Sequence, residues 1–261
     1  MAKFDEKYRQ GNWIKRGEKR CTLTKLSQAI KIMKGICMEA YYKEIVHALE
    51  SRLALEPMAS PKELSEIRWP LGLFSLQCWN MRAEKIRKIY FMRMSLKFPA
   101  FEYLGLGMYP DQAHDLPIFY LDLSCTRSKA IAYINPIAPV PDEAYAKKYI
   151  APFGPIFRAH SFPAAPVRPW MQPFVSPCTV YTMPDAAMLD ELKQCGLAYV
   201  ERYLDLLGKA EKNTDAAYET KIAGARDNYI AQSLANDVTQ KMLARLIGKK
   251  RAGRIFREML T

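Results

Sequence analysis

Hydrophobic and polar positions alternate with period two in the middle of this chain. In YFMRMSLKF (90–98), Tyr90, Met92, Met94, Leu96 and Phe98 form one face, and Phe91, Arg93, Ser95 and Lys97 form a wetter one. That is the pattern of a half-buried strand. FEYLGLGMY (101–109), LPIFYLDLS (116–124) and KAIAYINPI (129–137) read as three further strands. The links between them are too short for helical crossovers, so neighbouring strands are expected to run antiparallel.

Helical periodicity flanks this block. Leu26, Ile30, Met33 and Cys37 recur at three- and four-residue spacing in 24–53, with Thr24 as a candidate N-cap and a possible break near Gly35. Leu189, Leu192, Leu197, Val200, Leu204 and Leu207 mark a helix over 185–212. Helices are also expected over 218–247 and 250–260, separated near Gly248. Between strands and helices, residues 136–184 hold eleven of the seventeen prolines. Proline removes a backbone donor and disfavours helix before it, so this stretch reads as long loops with one or two edge strands. The order is helix, antiparallel strands, loops, helices. It predicts an α+β fold, a single domain over 1–261 with helices packed on a central antiparallel sheet. Residues 1–22 read as a flexible basic arm.

Two carboxylates interrupt this pattern. Asp122 shares a strand face with Ile118 and Tyr120, while Phe119, Leu121 and Leu123 point the other way. A carboxylate moved out of water binds a proton more tightly and becomes a candidate for acid–base chemistry. The alternative is a structural Asp that accepts backbone hydrogen bonds. Asp237 falls in the stripe of Ile230, Leu234, Val238 and Met242 on the expected helix 227–248. It either faces the core or sits at the stripe's edge and pairs with Lys241 four residues on.

Composition narrows the chemistry. The six cysteines contain no CxxC pair and only three histidines are present, so zinc and iron–sulfur sites are not supported. No export signal precedes the cysteines, which points to reduced thiols in a cytoplasmic compartment. No run of apolar residues reaches membrane-spanning length. The net charge of +12 is concentrated in the N-terminal arm, in Arg82–Lys97 and at the C-terminus, which suits an acidic partner.

With both carboxylates placed, the chain resembles the ferredoxin-dependent bilin reductases, which reduce biliverdin to phytobilins. Three stretches carry the likeness: YPDQAHDLPIFYLDLS (109–124), RPWMQPFVSP (168–177) and YIAQSLANDVTQKMLARLIGKKRAGRIFREML (229–260). The family's catalytic Asp falls on Asp122 and its second functional Asp on Asp237. The resemblance implies an α/β/α sandwich with the bilin between the sheet and the C-terminal helices. It implies no resident flavin or metal. Single electrons would come from a reduced two-iron, two-sulfur ferredoxin, and protons from the protein. His114 is a candidate for the proton route or an exposed loop residue. Arg158, Arg168 and Arg226 are candidates for the bilin propionates. The monomer, in the cytoplasm or in a plastid stroma, is the expected form. The chain departs from the family at Gly105, where some members carry His or Asn, and at Asn135 and Val238, which leaves the product open.

Three other readings compete. A non-catalytic tetrapyrrole carrier would bind bilin without turnover. A reductase of a chlorophyll-derived open tetrapyrrole would differ in substrate. A basic nucleic-acid-binding module would account for the charge but not for the two carboxylates, and no binding signature supports it.

Overall fold

The computed structural model describes residues 38–140 and 142–261. The arm at 1–22 and the first part of the expected helix 24–53 lie outside them; what is described of that helix is α1, Met38–Glu50. After it come two short strands, β1 (Glu56–Pro57) and β2 (Glu66–Arg68), and then five long ones. These are β3 (Phe74–Ala83), β4 (Ile86–Leu96), β5 (Phe101–Pro110), β6 (Ile118–Thr126) and β7 (Ala130–Ile137). A short β8, Val180–Thr182, completes an eight-stranded sheet in the order β1-β3-β4-β5-β6-β7-β8, with β2 also paired to β3. Every pairing is antiparallel.

The four expected strands are present as β4 to β7. The sequence reading missed β3, although its burial alternates residue by residue from Phe74 to Met81. Polar Gln77 and Asn80 and the turn at Glu84–Lys85 break up the apolar signal. The proline-rich stretch holds short helical turns, such as Gly154–Ala159 and Pro169–Phe174, besides edge strand β8.

Helices cover both faces. On one side, α1 and α2 (Leu189–Lys209) pack on the sheet, with Phe119 against Tyr203 at 5.2 Å between ring centroids. On the other lie α3 (Ala216–Asn236), α4 (Val238–Ile247) and α5 (Lys249–Leu260). That second interface is an apolar cluster built from Tyr90, Met92, Ile118 and Tyr120 of the sheet with Tyr229, Leu243 and Phe256 of the helices. The result is the α/β/α sandwich.

The helix expected over 218–247 is two helices. Asp237 ends α3 with extended backbone (φ −57°, ψ 131°) and starts α4 as its N-cap. An Asp accepts hydrogen bonds from the first free amides of a helix better than it serves inside one, which is why the chain breaks there.

Much of the basic segment from Arg82 to Lys97 is used up by the fold. Arg93 pairs with Glu39 and lies over the Tyr42 ring at 5.2 Å. The Lys88 ammonium is buried and donates to the Glu258 carbonyl at 2.8 Å. Arg82 pairs with Glu56. Among the described residues, Cys78, Cys125, Cys178 and Cys195 are free and buried.

Candidate functional site

A cavity of about 390 Å³ opens between the sheet and the α3–α4 junction, and both predicted carboxylates line it. Strand alternation puts Tyr120, Asp122 and Ser124 of β6 on the cavity side, beside Tyr103 of β5 and Tyr133 of β7. Tyr229, Asp237 and Met242 line it from the helices, and Trp170 from the proline-rich segment.

Gly105 stands directly across from Asp122 in the β5–β6 register, and Gly107 across from Tyr120. A side chain at either position would displace a neighbour. A Cβ at Gly107 would overlap the Tyr90 ring, and one at Gly105 would lie 2.8 Å from Asp122 Oδ1 and closer still to the Tyr103 hydroxyl. Two glycines on one strand face therefore make room for tyrosines from the neighbouring positions. The Tyr103 hydroxyl donates to Asp122 Oδ1 at 2.5 Å.

The electrostatics follow from burial. Desolvation drives the Asp122 carboxyl well above the usual carboxylate range, and the negative charge of Asp237 pushes the same way. Hydrogen bonding by the Tyr103 and Tyr120 hydroxyls favours the anion and offsets part of this. Asp237 is also raised by desolvation, but less freely. The backbone amides of Thr239 (2.6 Å) and Gln240 (3.1 Å) donate to its Oδ1, and Arg168 contributes positive charge. The two carboxyls are thus unequal. Asp122 is the one more ready to hold a proton.

Of the three arginines expected to hold anionic groups, only Arg168 lines this cavity. It is joined by Arg245 of α4, which the sequence reading missed. Both are exposed, and neither has an ion-pair partner among the described residues. Arg158 is exposed on the short helix Gly154–Ala159, away from the cavity lining. Arg226 is buried and spends its guanidinium on the 111–116 loop, donating to the carbonyls of Asp111 (2.8 Å), His114 (2.6 Å) and Leu116 (2.7 Å). Such a cation has little left for a ligand.

His114 is not exposed, as a polar loop suggested, nor does it reach Asp122's cavity. It is 4% exposed and its Nδ1 lies 2.6 Å from Asp111 Oδ1. Tyr203 holds the next carbonyl, that of Pro117, at 2.9 Å, and Tyr149 donates to Asp115. The 109–117 stretch is therefore a clamp that delivers β6, and with it Asp122, in register. Asn135 has a similar role on β7. Fully buried, it donates to Tyr133 Oη and to the Phe174 carbonyl, both at 2.8 Å, and accepts from Thr179 at 2.7 Å. These bonds pin the proline-rich segment beside the cavity. Among the described residues no cluster of His, Cys, Asp and Glu could hold a metal ion, and no helix is long and apolar enough to cross a membrane.

Comparison with known proteins points to one family. The family model described as ferredoxin-dependent bilin reductase matches residues 42–260. A phycocyanobilin:ferredoxin oxidoreductase from Gloeobacter violaceus is 27% identical over 241 residues, covering 85% of this chain and 93% of that protein. A phycoerythrobilin:ferredoxin oxidoreductase from Nostoc punctiforme is 28% identical over 218 residues, covering 77% and 83%. Among solved structures, tomato phytochromobilin synthase in complex with biliverdin superposes with a TM-score of 0.77 at 22% identity, covering 84% of this chain and 82% of that one.

Proposed function

The chain belongs to the ferredoxin-dependent bilin reductase family and is an oxidoreductase, and from that premise we propose that it reduces biliverdin, or a closely related linear tetrapyrrole, to a phytobilin. The observation that carries this reading is Asp122, a carboxyl primed to hold a proton on the wall of an aromatic cavity that two exposed arginines, Arg168 and Arg245, also line. Such a cavity suits a flat conjugated ligand. Arg168 and Arg245 suit its propionates, because a guanidinium matches a carboxylate with two parallel bonds. Asp122 suits the pyrrole nitrogens or the lactam.

Reducing one double bond takes two electrons and two protons. A reduced two-iron, two-sulfur ferredoxin supplies the electrons one at a time, and each addition makes the tetrapyrrole more basic. Asp122, whose burial favours the protonated form, then gives up its proton to the more basic tetrapyrrole. Asp237, capping α4 at the opposite wall, supplies the second proton or reloads Asp122.

The test is direct. The purified protein is mixed with biliverdin and its visible spectrum recorded; reduced ferredoxin is then added without oxygen and the product identified. A shifted spectrum followed by a phytobilin is expected. No spectral change on mixing would sink the proposal. Binding without turnover would make the protein a carrier.

A further inference from the structure

We propose that Tyr103 is the positioning residue for Asp122, and that the missing side chain at Gly105 is what admits it to that role. Tyr103 is 4% exposed, and its hydroxyl donates to Asp122 Oδ1 from the adjacent strand at 2.5 Å. The hydroxyl passes through the space that any Cβ at position 105 would fill. Gly105 and Tyr103 therefore act as a pair, since a side chain at 105 would expel the hydroxyl.

The bond has two consequences. An oxygen that accepts so short a bond is not the one carrying the proton, so neutral Asp122 holds its proton on Oδ2. The carboxyl is also kept from rotating, which places that proton at one point of the cavity wall. Tyr103 acts through Asp122, whose own surroundings set the background. Tyr120 and Tyr133 face it from β6 and β7, Tyr90 from β4 and Tyr229 from α3, all pushed above the ordinary tyrosine range by burial and so neutral. Among the described residues, the charged groups that share its cavity are Asp237, Arg168 and Arg245. Tyr103 is the tyrosine whose hydroxyl lies 2.5 Å from Asp122 Oδ1.

For catalysis this inference rests on the reductase reading, but the carboxyl can be followed without substrate. Infrared titration of the ligand-free protein should show a protonated-carboxyl band that disappears in Asp122→Asn. In Tyr103→Phe the ring remains and the donor is lost, so the band should change frequency and titrate at higher pH. Gly105→Ala should move it the same way with the hydroxyl still present, and the double variant should add little to either. With biliverdin and ferredoxin, Tyr103→Phe should lower turnover about tenfold, the scale of one lost hydrogen bond, and raise the pH at which the rate falls. An Asp122 band that titrates identically in wild type and Tyr103→Phe would overturn the proposal, whatever the melting temperature does. A shifted band in a protein that leaves the biliverdin spectrum unchanged would uphold Tyr103 and reject the reductase reading.

Discussion

Asp122 and Asp237 differ in what surrounds them, and that difference yields opposite predictions. Asp122→Asn keeps the shape and loses the proton. Bilin binding should persist while turnover falls by roughly 10² or more, the usual contribution of a positioned general acid; turnover at the wild-type rate would remove Asp122 from the mechanism. Asp237→Asn keeps a good N-cap but removes a negative neighbour. Asp122 should then lose its proton at lower pH, so the alkaline limb of the rate profile moves down, opposite to Tyr103→Phe. Stability gives an independent check. A carboxyl raised on folding binds protons more tightly in the native state, so it costs nothing below the ordinary carboxylate range. The cost grows as pH rises from there toward the folded-state value. The melting temperature of Asp122→Asn relative to wild type should therefore climb with pH across that window. A difference that stays flat with pH would contradict a raised Asp122.

At the scale of elements, the chain has invested in holding β6 and the α3–α4 junction. Arg226 ties α3 to three carbonyls of the loop that leads into β6. Replacing it with Met strands those carbonyls in a buried setting, each worth about 1 kcal/mol or more. Urea unfolding should show a loss of about 2–4 kcal/mol, with bilin affinity falling only as a consequence of the displaced loop. A loss under half a kilocalorie would mean that the clamp is dispensable.

For the whole molecule the question is where an acidic donor docks. Many basic residues of Arg82–Lys97 are engaged inside the fold, whereas Lys241, Lys249 and Lys250 are exposed beside Arg245 on α4 and α5. Lys249 and Lys250 open α5 at its positive end, with no acidic residue in the first turn. That placement opposes the helix dipole and costs stability. Lys249→Glu/Lys250→Glu should therefore melt higher than wild type while raising the KM for ferredoxin, with bilin affinity unchanged. The wild-type KM should itself rise with salt as the attraction is screened. An unaltered ferredoxin KM in the variant would place docking elsewhere.

The sequence by itself determined the strands β4 to β7, the helical C-terminal half, the antiparallel layering and the strand position of Asp122, because period-two and three-to-four-residue patterns are local. It also carried the family likeness in 109–124 and 229–260. It did not reveal β3, where polar Gln77 and Asn80 interrupt the apolar signal. Nor did it reveal that Asp237 is a cap, since a stripe of apolar residues runs on through the break between α3 and α4. Which arginines reach the cavity was a tertiary matter: Arg226 turns inward to carbonyls more than a hundred residues away in sequence, and Arg245 turns to the site. Gly105 is the clearest case. In the sequence it is a gap where a donor could have stood. Only the pairing of β5 with β6 shows that the gap is occupied, because it brings the Tyr103 hydroxyl and the Asp122 carboxyl into the volume that a side chain there would have taken.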